Sequence, residues 1–135
     1  MEKINKLRKI FKKEKIDGYI IPKNDEFFGE YIPDHKDRLK YISGFTGSYG
    51  FALILNSQNY LFVDGRYTLQ ANKQSGKFFK IKTIPHELPK KILKNKKLKI
   101  GFDPKLFTTK TLNIFFGKTN CNYIPLNNNL IDKIW

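Results

Sequence analysis

The chain has 135 residues, which suits a single folded domain, and its 40% hydrophobic and 15% aromatic content supplies enough apolar surface for a packed core. This composition excludes a disordered chain, and the apolar runs are too short to cross a membrane. The formal net charge is +14, but only three of the 26 basic residues are arginine, so a solvated lysine surface is favoured over a nucleic-acid-binding one.

The first half of the chain predicts helices and strands in alternation. Residues 2–15 place Ile4, Leu7, Ile10 and Phe11 three or four apart, as in an amphipathic helix. A short buried strand follows over 19–21 and ends at Pro22, before a polar and aromatic loop over 23–33. Residues 34–43 predict a short helix capped by Asp34. Residues 51–55 and 60–63 predict a hairpin.

The second half continues the alternation. It predicts helices over 66–75, 86–95 and 108–116, and strands over 78–84, 98–102 and 122–126. Strands that alternate with helices indicate an α/β layer structure, and the hairpin makes its sheet mixed, with about five or six strands. The last residues, 129–135, have helical spacing. We expect the tail from Asn128 onward to be mobile or to form an oligomer contact, with its apolar side chains exposed.

No group of residues predicts catalysis. Cys121 has no obvious histidine partner, and a single cysteine cannot form an internal disulfide. His35 and His86 stand in unrelated polar settings outside any spaced ligand motif, so no metal site is predicted. The single cysteine and the charged N-terminal segment, which lacks the apolar block of a signal peptide, predict a cytoplasmic location.

Three segments are candidates for a structural or binding role. The glycine-rich segment 44–50 lacks the features of a phosphate-binding loop, so we interpret Gly44 and Gly47 as turn residues that place Phe45. Asp64, followed by Gly65, Arg66 and Tyr67, stands between a strand and a helix, where capping explains the aspartate. Arg38 can clamp a carboxylate with two hydrogen bonds, and Glu30 is a candidate partner or a hook for a peptide amine; two solvated side chains are the simpler alternative.

Four ordered motifs resemble one family. They are YIIP at 19–22 with Glu30-Tyr31, RLKYISGFTGS at 38–48, VDGRY at 63–67 with Gln70-Ala71, and NLIDKIW at 129–135. Together they resemble the N-terminal domain of Xaa-Pro aminopeptidases of the creatinase/prolidase group, over about residues 4–135. Tyr49 stands where that group has a small residue, and Val63 stands in place of threonine.

The resemblance implies a single creatinase-type N-terminal domain over 1–135, without the metal-binding catalytic domain. It implies no cofactor here, and two divalent ions, manganese expected, in the missing domain. It also implies a homodimer, and a peptide substrate with proline in second position for the full enzyme. Glu30, Arg38, Phe45 and Arg66 become candidates for the active-site rim or a subunit contact, with Asp64 structural.

Two other functions stay open at this stage. One is a basic nucleic-acid-binding module that uses the lysine run at 90–99, and the other is a stand-alone regulatory module that dimerises. Whether the chain is a fragment or a natural remnant also stays open.

Overall fold

Six strands form one mixed sheet in this computed structural model, which describes residues 1–24 and 32–135. The strands are β1 (Gly18–Pro22), β2 (Gly50–Leu55), β3 (Asn59–Asp64), β4 (Lys80–Ile84), β5 (Lys99–Phe102) and β6 (Asn122–Pro125). The helices are α1 (Glu2–Glu14), α2 (Arg38–Ser43), α3 (Thr68–Ser75), α4 (Pro89–Ile92), α5 (Thr109–Phe116) and α6 (Leu130–Ile134), with 3-10 turns at Asp34–Lys36, Gly65–Tyr67 and Pro104–Leu106. The predicted mixed α/β fold with about five or six strands is confirmed.

The sheet has the order β4-β3-β2-β1-β5-β6. Only β2 runs against its neighbours, because the predicted hairpin joins it directly to β3, where the Leu55 amide donates to the Gln58 carbonyl at 2.8 Å. The other neighbouring pairs, β3–β4, β1–β5 and β5–β6, are parallel. The two central strands, β1 and β2, are buried along their whole length.

Each central strand contributes to two cores, one on each face of the sheet. Tyr19 and Ile21 of β1 pack with α1, α2, α3 and α6, whereas Ile20 between them packs on the opposite face with Leu93 and Phe116. This follows from the period of two in a strand, which sends successive side chains to opposite faces. A strand covered on both faces is apolar at every position, as the YII run is.

The segment 34–43, predicted as one helix, forms a 3-10 turn and then α2. The prediction that Asp34 caps the helix is wrong. Asp37 interrupts the segment, and its carboxylate caps α2 by accepting a hydrogen bond from the Lys40 amide at 3.2 Å. Asp37 suits this position because its backbone is non-helical and its side chain reaches the third amide of the helix. Leu39 and Ile42 of α2 are buried in the core.

Three other predicted elements are shorter than expected. The helix predicted over 86–95 is limited to α4, which starts at Pro89 and ends before Asn95, where the backbone has a positive φ of 65°. The strand predicted from 78 begins at Lys80, because the amides of Phe78 and Phe79 bond to Ser75 at the end of α3. The helix predicted over 66–75 begins as a 3-10 turn.

The expected exposure of the C-terminal apolar residues is wrong for α6. Leu130 and Ile131 are among the most buried residues of the core, and Asn129 caps the helix by accepting from the Ile131 amide at 2.9 Å. Trp135, although half-exposed, stacks on Tyr41 with ring centroids 4.7 Å apart. Leu130 and Ile131 are therefore part of the domain core.

Candidate functional site

The predicted site segments that the structure describes meet at one edge of the sheet, which we call the carboxyl edge. Five of the six strands run in the same direction and end there, and β2 begins there. The glycine-rich segment precedes β2, and the segment from Asp64 to Tyr67 follows β3. Ligands of open α/β sheets commonly bind outside the carboxyl ends of strands, so this edge is the candidate site.

The glycine-rich segment turns sharply around a buried aromatic ring. Gly44 ends α2 with a φ of 79°, a conformation that favours glycine. Phe45 is completely buried, and a Cβ on Gly47 would lie 2.2 Å from the Cζ atom of that ring. A side chain at position 47 therefore needs the ring to move, which explains the glycine.

The same segment is tied to α3 by side-chain hydrogen bonds. The Thr46 amide donates to Gln74 Oε1 at 2.9 Å, and Thr46 Oγ1 accepts from the side-chain amides of Gln70 and Gln74 at 2.9 and 2.8 Å. Ser75 Oγ donates to the Ser43 carbonyl at 2.8 Å. These contacts give Gln70 a physical role in positioning the glycine-rich segment.

Asp64 caps the turn that follows β3, as predicted. Its Oδ1 accepts from the Arg66 backbone amide at 2.9 Å and from Arg66 Nε at 3.2 Å. These two hydrogen bonds lower the pKa of the Asp64 carboxyl below its ordinary value. Arg66 itself points outward, with 74% of its side chain exposed.

Tyr67 connects this turn to the glycine-rich segment. Its hydroxyl shares a hydrogen bond with Ser48 Oγ, and its ring meets the Phe45 ring edge-on with centroids 6.1 Å apart. The two motifs around Phe45 and Asp64 are therefore one packed unit. Phe45 lies below the surface of this unit, and Arg66 lies on it.

Arg38 makes the two-hydrogen-bond clamp that its chemistry suggests, but with a carboxylate that the sequence did not single out. Its Nε and Nη2 atoms donate to the two carboxylate oxygens of Asp132 at 2.8 and 3.0 Å. The Arg38 side chain is only 8% exposed, whereas that of Asp132 is half-exposed. Glu30, the predicted partner, lies outside the described residues.

Further polar contacts fasten α6 to the carboxyl edge. Buried Asp103, directly after β5, accepts from the Asn129 side-chain amide at 2.9 Å. The Leu130 amide donates to the hydroxyl of Tyr19, and burial raises the pKa of Tyr19 above its ordinary value. These contacts of Tyr19, Asp103, Asn129 and Asp132 were not predicted, because the partners are distant in sequence, although Tyr19, Asn129 and Asp132 lie in motifs named above.

The described residues do not fit a dinuclear metal centre. Within 1–24 and 32–135, no three side chains of His, Cys, Asp or Glu are grouped closely enough to hold an ion. Cys121 is buried, and its thiol donates to the Lys96 carbonyl at 3.3 Å. Over the same residues, no helix is both long and apolar enough to traverse a bilayer.

The lysine run at 90–99 lies on the surface around α4, where Lys91, Lys94, Lys96 and Lys97 are exposed. Lys91 Nζ donates to the His86 carbonyl at 2.9 Å. Nucleic-acid binding through this run stays a prediction.

Residues 3–134 match the Creatinase/Prolidase N-terminal domain family. The chain belongs to this family. A probable Xaa-Pro aminopeptidase P from Coprinopsis cinerea is 34% identical over 139 aligned residues, and one from Arthroderma otae is 35% identical over 144. Each alignment includes almost all of this chain, 96% and 99%, but the chain spans only 22% and 23% of the length of these relatives. In those proteins the creatinase/prolidase N-terminal domain is thus one part of a longer chain.

Two solved structures have the same fold as this chain. An X-prolyl aminopeptidase from Caenorhabditis elegans, described as a cytosolic enzyme with a di-nuclear active site, superposes with a TM-score of 0.87 at 27% identity, over 99% of this chain and 25% of that one. The N-terminal domain of cytoplasmic peptidase PepQ from Mycobacterium tuberculosis superposes with a TM-score of 0.75 at 20% identity, which shows the fold alone. That solved chain is matched over 98% of its length, so it consists of this domain.

Proposed function

We propose that this chain is the non-catalytic N-terminal domain of a cytoplasmic Xaa-Pro aminopeptidase. The observation that carries the proposal is the match of almost the whole chain to about 22% of the length of probable Xaa-Pro aminopeptidases P. The metal ligands, with manganese the expected metal, belong to the catalytic domain of the same protein.

The domain contributes to the rim of the active site and to a homodimer. The carboxyl edge supports this role, because Phe45, Tyr67 and Asp64 form a rigid base from which Arg66 projects into solvent. A rigidly based guanidinium is suited to bind the carboxylate of a peptide. Arg38 and Phe45 are buried, so their contribution is to position this edge. Glu30 remains a candidate for direct contact.

The experiment for the catalytic role uses the full-length protein encoded by the gene and the 135-residue chain side by side. Both are assayed with manganese and a peptide that has proline in second position. The full-length protein is expected to release the N-terminal residue, and the 135-residue chain is expected to give no turnover. Turnover by the 135-residue chain alone would refute the non-catalytic assignment.

The rim is tested separately in the full-length protein with Arg66→Ala. Loss of the guanidinium is expected to raise KM by about tenfold. This corresponds to the binding free energy of roughly one charge-assisted hydrogen bond. Lys73→Ala is the matched control, because Lys73 is an exposed cation near the end of α3 and should leave KM unchanged. Equal KM values for the two variants would remove Arg66 from the rim.

Light scattering of the full-length protein tests the homodimer, and a strict monomer would contradict it.

A further inference from the structure

A cavity of about 510 Å³ opens at the carboxyl edge, beside the glycine-rich segment. One side is formed by Tyr49 and Gly50, and the other by α5. Its wall is aromatic: Phe51 lies 4.9 Å from Phe115 and 5.9 Å from Phe116 between ring centroids. The volume lies within the range of roughly 300–1,000 Å³ that is usual for small-molecule sites.

Four polar side chains of the described lining are already bonded within the domain. Lys23, the one charged residue of the described lining, bonds to Asp37 at 2.6 Å through its ammonium group. The Asn24 side-chain amide donates to the Leu106 carbonyl at 2.6 Å. The Ser48 hydroxyl shares a hydrogen bond with the Tyr67 hydroxyl, and the Thr111 hydroxyl shares one with the Thr108 hydroxyl at 2.7 Å. Within the described lining, a ligand therefore meets mainly aromatic rings and polar side chains that are already bonded. The aromatic wall favours a ligand with an apolar ring, because burial of apolar surface is favourable.

The cavity also lies where an open α/β sheet favours ligand binding. The neighbours of β1 are β2 on one side and β5 on the other, so the chain connections diverge at its carboxyl end. Pro22, the last residue of β1, lines the cavity. Below it, Phe51 stacks on buried Phe62 with centroids 5.0 Å apart, which gives the wall a rigid support.

We propose that this cavity binds an aromatic ring, held by stacking and edge-on contacts with Phe115 and Tyr49, next to the nearly buried ring of Phe51. Aromatic rings prefer such offset and edge-on arrangements at centroid distances of about 4.5–7 Å. The ring comes from a free small molecule or from a phenylalanine-like side chain of a peptide. The proposal is independent of the aminopeptidase assignment, because it uses neither Arg66 nor the catalytic domain.

The test is a two-dimensional NMR titration of the isotopically labelled 135-residue chain with two probes. Indole represents a free aromatic molecule, and N-acetylphenylalaninamide represents a peptide side chain. Binding is expected to shift the amide signals of Tyr49, Gly50 and Thr111 in a saturable way. Tighter binding of indole indicates a free small molecule, and tighter binding of N-acetylphenylalaninamide indicates a peptide.

The matched variants are Thr111→Trp and Thr109→Trp. Both place the same large side chain on α5, but Thr111 lines the cavity, whereas Thr109 is exposed outside it. Filling the cavity is expected to weaken binding by at least about tenfold for Thr111→Trp and by less than about twofold for Thr109→Trp. Tyr49→Ala, which removes one wall without filling the cavity, is expected to weaken binding by about threefold.

Thermal unfolding of each variant establishes that it is folded before titration. If Thr111→Trp does not fold, Tyr49→Ala decides the test. Absence of a saturable shift with either probe, shifts confined to residues away from the cavity, or unchanged binding in Tyr49→Ala would each overturn the proposal.

Discussion

At the residue scale, the most informative contact is the ion pair between Arg38 and Asp132. A guanidinium that is nearly buried has lost most of its hydration, so the hydrogen bonds it makes within the protein determine whether burial is tolerated. Two parallel hydrogen bonds to one carboxylate satisfy this requirement and also fix the direction of α6. The motif position of Arg38 thus has a structural explanation within the domain.

Asp132→Ala is expected to lower the free energy of unfolding by about 1–3 kcal/mol, because it leaves the buried guanidinium without two hydrogen bonds. The half-exposed position of Asp132 favours the lower part of this range. Asp34→Ala is the control: its pair with Lys40 is exposed and 3.7 Å long, so the change should be within about 0.5 kcal/mol. Urea unfolding measures both, and equal values would contradict the structural role of the clamp.

Gly47 gives a second prediction at this scale. Gly47→Ala is expected to destabilise the domain by about 1–3 kcal/mol, because the new methyl group overlaps the buried Phe45 ring. Gly65→Ala is the matched control, since the nearest heavy atom to a Cβ there is Thr83 Cγ2 at 3.7 Å. The control should be neutral or slightly stabilising. Thermal or urea unfolding compares the two, and a neutral Gly47→Ala would show that the ring moves freely.

At the scale of elements, α6 shows how tertiary contacts change the meaning of an apolar segment. Five residues are too few for a helix that is stable alone. Here the helix is held by the Asn129 cap, the Asp132 ion pair and burial of Leu130 and Ile131 against α1 and α2. It therefore completes the core on one face of the sheet.

Leu130→Ala is expected to reduce the free energy of unfolding by about 2–5 kcal/mol, the usual effect of truncating a fully buried leucine. The same substitution at Leu69, which is 70% exposed on α3, should have an effect of less than about 0.5 kcal/mol. Equilibrium unfolding in urea compares the two variants. A small effect at Leu130 would instead support the expectation that the tail is mobile or forms an oligomer contact.

At the scale of the whole molecule, two cores share one sheet. Because β1 and β2 send alternate residues to both faces, both cores depend on the same two strands. This arrangement also supports the carboxyl edge from both faces of the sheet. The two motifs rest on one core, and the aromatic cavity wall rests on the other.

The chain is therefore expected to unfold in one cooperative transition. Its single tryptophan, Trp135, stacks on Tyr41 and reports on the α6 side by fluorescence, while far-ultraviolet circular dichroism reports on all helices and strands. Coincident urea transitions from the two probes are expected, as for most domains of this size. A fluorescence change at clearly lower urea concentration would show that α6 detaches first.

Local patterns in the sequence predicted much of this fold. The spacing of Ile4, Leu7 and Phe11 predicted α1, the polar connection between two apolar runs predicted the β2–β3 hairpin, and Asp64 was predicted to cap the turn after β3. These features depend on residues within a few positions of one another. Where two local signals compete, as Asp34 and Asp37 do before α2, the sequence does not decide between them.

By itself, the sequence determined the order and type of the main elements and, through four ordered motifs, the family. Only the tertiary structure decided that Asp132 is the carboxylate that Arg38 binds, 94 positions away, that α6 is buried, and that Phe51 and Phe115 line one cavity. The physical reason is that periodicity and capping act within one or two turns of chain. Ion pairs, burial and cavities instead depend on which distant segments the sheet brings together.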